Sequence, residues 1–157
     1  MIQFSRSILV TMERPNDERV VLHGILEDNI YAMEVNIEIS RLGCAIEAVS
    51  GQMRRYTTSE CPKATAILRK AVGMKVDAPG FAALINKEIG RQGCRHYAEL
   101  IIECIDTFIA SELAVAAEEA RVSGVEMTDE AFQSDWVKDR PILKDSCLAM
   151  SQESSES

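Results

Sequence analysis

The 157-residue sequence lacks the features that would mark a membrane or secreted protein. No run approaches the roughly 18 consecutive apolar residues that a membrane-spanning helix needs. Residues 1–15 contain neither a basic leader nor a small-residue cleavage site. We therefore expect a cytoplasmic protein that does not associate with membranes.

Familiar catalytic and cofactor-binding motifs are also missing. The sequence contains no P-loop, no G-x-G-x-x-G, no G-x-S-x-G and no H-E-x-x-H. The paired spacings of structural zinc sites are absent as well. The sequence therefore favours a non-enzymatic role over an enzyme, and any site has to be assembled from residues that are distant in the chain.

The cysteines follow no disulfide pattern. There are five, an odd number, at positions 44, 61, 94, 104 and 147, and no two of them form a C-x-x-C pair. Secreted domains held together by disulfides carry an even number of cysteines in regular spacings. The count therefore predicts free thiols in a reducing compartment.

The net charge of −8 is concentrated near the C-terminus. Residues 1–111 carry 14 acidic and 13 basic side chains, whereas residues 112–157 carry 11 acidic and 4 basic ones. Because an acidic segment repels phosphate backbones, we expect no nucleic-acid partner. The sequence leaves open whether the chain binds a protein partner or forms a homo-oligomer.

The first third of the chain shows the two-residue period of β-strands. The clearest case is residues 31–40, where apolar side chains at the odd positions alternate with polar or small ones. Residues 3–12, 18–26 and about 44–53 are the other predicted strands. Together they indicate an antiparallel meander with one solvated face, and they place Cys44 in the sheet.

The residues that follow show the spacing of amphipathic helices. Pro62 suits a first helical position, so Cys61 is expected to cap the first helix. Further helices are predicted from Pro79 and from about Cys94, the latter continuing to Arg121. Strands and helices in separate blocks predict an α+β domain, with about four strands followed by three or more helices packed on one face.

Three segments are expected along the chain. Residues 1–115 should form the α+β domain, and residues 116–150 a helical, acidic C-terminal extension in which Thr128 begins a short helix. Residues 151–157, SQESSES, are polar and of low complexity, so we expect a disordered tail.

Cys61 and Cys94 are the most suggestive candidates for chemistry, because both stand at predicted helix N-termini. The helix dipole and the unpaired N–H groups there can lower a thiol pKa from about 8.5 toward neutrality. If folding brings the two together, they suit a soft metal, an iron–sulfur cluster or thiol exchange. His96 is a candidate third metal ligand and Asp28 a weaker fourth, for a transition metal such as zinc or iron.

Each candidate also has a structural interpretation. A free cysteine often packs as a small hydrophobe, which we expect for Cys44 and Cys104. His96 flanks the long helix and could be simply solvated. Asp28 lies in the turn between the second and third strands, where its side chain would bond to nearby backbone.

Several motifs together resemble a known family. LEDNIYAMEVNIEIS, IEAVSGQMRRYTTSECPKA and GCRHYAEL resemble the bacterial domain-of-unknown-function family 2889, over about residues 4–112. The resemblance matches Cys61 to a cysteine ahead of a helix, Gly93–Leu100 to a closing G-C-x-H-x-x-E-L motif, and Asp28 to an aspartate in a turn. Tyr31 stands where the resemblance implies a histidine. It further implies a sheet-plus-helix fold and no known activity.

A weaker, fold-level resemblance connects the chain to iron–sulfur scaffold and sulfur-acceptor proteins, in which cysteines also enter helices beside a small sheet. Fold alone does not establish function. Three hypotheses follow: a thiol-based protein that handles metal or sulfur through Cys61 and Cys94, a non-catalytic interaction or assembly module with structural cysteines, and a cysteine-dependent enzyme.

Overall fold

The computed structural model describes residues 1, 3–124, 128–138, 140, 143–147 and 151. Four antiparallel strands form one sheet in the order of the sequence, which confirms the predicted α+β fold. The strands are β1 (Arg6–Glu13), β2 (Arg19–Asp28), β3 (Ala32–Ser40) and β4 (Ala45–Arg55). After them come a 3-10 helix (Cys61–Ala71), α1 (Phe81–Ile85), a π-helical turn (Asn86–Gly90), α2 (Arg95–Val122) and α3 (Asp129–Lys138).

The chain divides into two compact units. The first comprises residues 1–76 and 80–108, and the second residues 77–79 and 109–157. The first unit holds the sheet, the 3-10 helix, α1, the π-helical turn and α2 as far as Phe108. The three predicted segments remain a prediction, and the predicted tail lies outside the described residues except for Ser151.

The core of the first unit lies on one face of the sheet. In β2 and β3 buried and more exposed side chains alternate, as the two-residue period predicts. The strand register pairs Leu22 with Ile37 and Leu26 with Met33, and all four are buried. Each large apolar side chain buried in this way contributes roughly 1.5–3 kcal/mol.

The part of α2 that belongs to the first unit, as far as Phe108, covers this face. Its buried side chains recur at helical spacing, and they are Tyr97, Ala98, Leu100, Ile101, Cys104, Ile105 and Phe108. Two glycines let the helical layer come close to the strands. A Cβ at Gly24 would lie 2.6 Å from Cys104 Sγ, and one at Gly51 would lie 2.7 Å from Leu68 Cδ1. The contact with Gly24 confirms Cys104 as a core residue, and burial raises the pKa of its thiol to about 12.

Two sequence predictions near the cysteines need correction. Cys44 lies in the turn before β4 with a φ of 45°, so it is not a strand residue. Its carbonyl accepts the N–H of Val76 at 2.8 Å and thereby joins the turn to the segment that follows the 3-10 helix. Cys61 is the first residue of its helix and Glu60 takes the cap position, so the predicted cap was wrong by one residue.

The second unit contains the rest of α2 and the helix α3. Thr128 caps the start of α3, as predicted: its hydroxyl accepts the N–H of Ala131 at 3.2 Å and its carbonyl that of Phe132 at 2.9 Å. The guanidinium of Arg140 lies over the Trp136 ring, 3.3 Å from the ring centroid. In the described part of the chain, no helix is long and apolar enough to span a membrane.

The close approach at Gly24 can be tested by substitution. Gly24→Ala should lower the free energy of unfolding by about 1–3 kcal/mol, because its Cβ overlaps the Cys104 sulfur and Leu100. The same change should cost less in a Cys104→Ala background, where the sulfur is gone. Chemical denaturation of the four proteins measures this coupling.

Ser50→Ala provides a matched control, since it adds no atom and lies at an exposed position of β4. Equal costs of Gly24→Ala in both backgrounds would contradict the packing described here.

Candidate functional site

The turn between β2 and β3 is organised by the carboxylate of Asp28. Its Oδ1 accepts the backbone N–H groups of Ile30 at 2.7 Å and Tyr31 at 2.6 Å. Its own N–H donates to the carbonyl of Tyr31 at 2.8 Å. An aspartate bonded to the backbone two and three residues ahead fixes the turn, so the structural interpretation of Asp28 is confirmed.

Arg6 on β1 balances the buried charge of this turn. Its Nε and Nη2 lie 2.8 and 2.7 Å from Asp28 Oδ2, and the Asp28 side chain has no exposed area. The Nη1 of the same guanidinium lies 3.7 Å from Glu99 on α2. The strand, the turn and the helix therefore meet at one cation.

The protonation of Asp28 reflects these contacts. Burial by itself would raise the pKa of this carboxyl, but the hydrogen bonds from Tyr31 and Ile30 and the charge of Arg6 outweigh it and lower the pKa. Asp28 is therefore a carboxylate at neutral pH, and both of its oxygens are occupied.

His96, in the first turn of α2, packs against Tyr31. The two ring centroids are 4.3 Å apart and the rings are tilted by 42°. His96 Nε2 lies 3.5 Å from Arg6 Nη2, and its Nδ1 lies 4.0 Å from the sulfur of Cys94. Partial burial lowers the pKa of His96, and the cations of Arg6 and Arg95 add to this against Glu99 and Asp28. The neutral form of the ring therefore predominates at pH 7.

Cys61 lies beside a pair of threonines at the start of the 3-10 helix. Its sulfur is 3.4 Å from the hydroxyl of Thr58 and 3.6 Å from that of Thr57. Hydrogen bonds from the hydroxyls of Thr58 and then Thr57 lower the pKa of Cys61 to about 7. A hydroxyl donor stabilises a thiolate more than a thiol, which gives the shift its direction.

The candidates are linked by a continuous series of contacts. Tyr31 touches His96 with its ring, and its hydroxyl lies 3.5 Å from the Thr57 hydroxyl, which in turn contacts Cys61. Cys94 reaches the same series through His96. Cys61 and Cys94 are both free thiols, and each has its own polar neighbours.

A metal centre is not assembled in these contacts. Within residues 3–124 and the other described positions, no group of three or more His, Cys, Asp or Glu side chains is arranged to hold a metal ion. Asp28 already uses both oxygens on Arg6 and the turn amides. The metal-ligand set of Cys61, Cys94 and His96, with Asp28 as a fourth ligand, stays a prediction.

Sequence reasoning missed the residues that connect the candidates. Thr57 and Thr58 precede Cys61 by four and three positions, and this spacing in the sequence could have identified them as hydroxyl donors. Tyr31 offered only a departure from an expected histidine. Nothing in the sequence around Arg6 marked it, because its role depends on strand pairing: Arg6 lies directly opposite Asp28 in the sheet register.

These features define the class of the molecule: a four-stranded meander covered by the first part of a long helix, in which a buried aspartate pairs with an arginine. A series of contacts connects the turn of that aspartate to a tyrosine, a histidine and two thiols. The chain belongs to the family of proteins of unknown function DUF2889, which matches residues 5–110. No significant match was found among curated proteins or among solved structures. The matched range contains all the residues of the contact series and ends within α2.

Removing the charge of Asp28 should destabilise the protein. Asp28→Asn should lower the free energy of unfolding at pH 7 by about 1.5–3 kcal/mol, since it weakens hydrogen bonds that involve a charged group. Because folding lowers this pKa, the stabilisation is present above the unfolded value of about 3.9 and is lost as the pH falls through the folded value. Denaturation between pH 7 and 3 measures the difference between the two proteins.

Asp17→Asn serves as the control, because Asp17 pairs with Arg14 while its side chain is 94% exposed. That substitution should cost less than about 1 kcal/mol. A cost at Asp28 no larger than at Asp17, or one that does not shrink at low pH, would contradict the account of this turn.

Proposed function

We propose that the protein handles sulfur through a reactive thiolate at Cys61. The observation that carries the proposal is the pair of threonine hydroxyls at 3.4 and 3.6 Å from its sulfur. Cys61 is partly exposed and stands in the first turn of a helix of 11 residues, where backbone N–H groups also favour a negative charge. The sulfur therefore combines nucleophilicity with access.

The chemistry that suits this arrangement is thiol–disulfide or thiol–persulfide exchange. The Cys61 thiolate attacks one sulfur of a disulfide or persulfide, a new S–S bond forms to Cys61, and the other sulfur leaves as a thiolate or hydrosulfide. The substrate itself is the oxidant, so the step needs no further electron acceptor. A thiol pKa near 7 is close to the optimum for such attack at neutral pH.

No comparable combination is found at Cys104, Cys147 or Cys94. Cys104 is buried in the core, where a thiolate is strongly disfavoured. Cys147 is exposed and belongs to the second unit. Cys94 is partly buried and its polar neighbour is the ring of His96. These differences support Cys61 as the acceptor.

Metal handling by Cys61, Cys94 and His96 is the second candidate. One observation favours it: His96 is neutral and lies beside the Cys94 sulfur, so imidazole and thiol donors are neighbours. We expect zinc or iron bound to protein purified anaerobically under reducing conditions to fall in both Cys61→Ala and Cys94→Ala but not in Cys147→Ala. Elemental analysis measures the metal content. Preparations of all four proteins that contain neither zinc nor iron would end the metal hypothesis.

The reactivity of Cys61 can be read from its alkylation by iodoacetamide. The rate at Cys61, followed by peptide mass spectrometry, should rise with pH with a midpoint of about 7. Thr58→Val should move that midpoint up toward the ordinary thiol value of about 8.5, because a donor to the thiolate is lost. Oxidised glutathione should form a mixed disulfide at Cys61 faster in the wild type than in Thr58→Val at pH 7.

Thr11→Val is the matched control, because it removes a hydroxyl from an exposed position of β1 opposite His23. It should leave the Cys61 midpoint unchanged. A wild-type midpoint near 8.5, or no shift in Thr58→Val, would contradict the proposal and favour the alternative of an interaction module with structural cysteines.

A further inference from the structure

The contacts of Arg6 restrict the neutral ring of His96. A neutral histidine carries one N–H and one lone pair on its two ring nitrogens, and which nitrogen holds the proton depends on the neighbours. Arg6 Nη2 lies 3.5 Å from His96 Nε2. A guanidinium only donates hydrogen bonds and does not lose its proton in proteins. A proton on Nε2 would therefore point at another donor and a positive charge.

The opposite side of the ring faces a thiol. Cys94 Sγ lies 4.0 Å from His96 Nδ1, and Cys94 immediately precedes α2, where its carbonyl accepts the N–H of Ala98. If Nδ1 carried a lone pair, Cys94 would donate its proton to the ring and His96 would be a base for that thiol. If Nδ1 carries the proton, the ring donates to the sulfur. The tautomer therefore decides whether His96 or Cys94 is the donor in this hydrogen bond.

We propose that Arg6 is a positioning residue that keeps the proton of the neutral His96 ring on Nδ1, so that His96 donates a hydrogen bond to the sulfur of Cys94. The inference rests on the proposed thiol function, because it assigns Cys94 and His96 as a second sulfur site beside Cys61. In this arrangement His96 is a donor that stabilises negative charge on the Cys94 sulfur. It does not remove the proton of that thiol.

The geometry makes Arg6 suited to this role. Its guanidinium is held by Asp28 at 2.7 and 2.8 Å and approaches Glu99 at 3.7 Å, so its direction is fixed from two sides. Tyr31, whose N–H binds the same Asp28, packs against the His96 ring and limits its rotation. The ion pair of Arg6 with Asp28 therefore orients the guanidinium that faces Nε2. Through the turn of Asp28 it also places Tyr31 against the His96 ring.

The experiment is a long-range ¹H–¹⁵N correlation spectrum of the histidine side chains at pH 8. Protonated and unprotonated ring nitrogens differ widely in ¹⁵N shift, and the chain has two histidines, so His96→Gln assigns the signals. The wild type should show His96 with the proton on Nδ1 in at least about tenfold excess, as expected for a hydrogen bond to a charged group. A free histidine side chain favours the proton on Nε2, so a dominant Nε2–H form would overturn the proposal.

Variants separate Arg6 from its neighbours. Arg6→Gln should lose most of the excess of the Nδ1–H tautomer, whereas Arg6→Lys should keep it. Arg95→Gln should leave the tautomer ratio unchanged, because Arg95 pairs with Glu99 on the helix surface. If Arg6→Gln retains the full excess of the Nδ1–H tautomer, the proposal that Arg6 sets this tautomer is overturned. If Arg6→Gln does not fold, Cys94→Ala decides: the Nδ1 proton is retained if Arg6 sets the tautomer and lost if Cys94 does. The alkylation of Cys61 is a separate measurement. A failure of the proposed function at Cys61 can therefore be distinguished from a failure of the proposed role of Arg6.

Discussion

The carboxylate of Asp28 lies fully buried at the end of β2, and its charge is met by Arg6 and by two backbone N–H groups of the following turn. An unpaired buried charge would cost several kcal/mol, so these partners cannot be lost singly without disturbing their surroundings. The turn presents Tyr31 to His96, and Arg6 extends the same contact to the first turn of α2. This one ion pair therefore links the sheet to the start of α2, which Cys94 immediately precedes.

Close packing supports the same arrangement from inside. Gly24 and Gly51 leave room for the side chains of Cys104, Leu68 and Tyr97, so the helical layer lies directly against the strands. Because α2 packs this close to the strands, its first turn contacts the β2–β3 turn. The polar contacts at the edge and the apolar contacts in the core thus determine one position for residues 95–108.

Much of the fold could be predicted because it depends on local periods. The alternation in β3 and the three- and four-residue spacing in α2 each identify the buried face without knowledge of the partner. Cys44 was misplaced because alternation cannot reveal a residue with positive φ. The pairing of Arg6 with Asp28 could not be predicted, since they lie 22 positions apart and only the strand register brings them together. The candidate thiols were identified from their positions at helix starts, whereas the groups that act on them come from other elements.

The proposed chemistry depends on one structural feature, the contact of the β2–β3 turn with the start of α2. A nuclear Overhauser spectrum of the full chain tests this directly through the ring protons of Tyr31 and His96, whose centroids are 4.3 Å apart. This contact predicts strong cross-peaks between the two rings that weaken when Asp28 is replaced by alanine. Their absence in the folded wild-type protein would contradict it, because the thiols at positions 61 and 94 would then belong to unconnected surroundings.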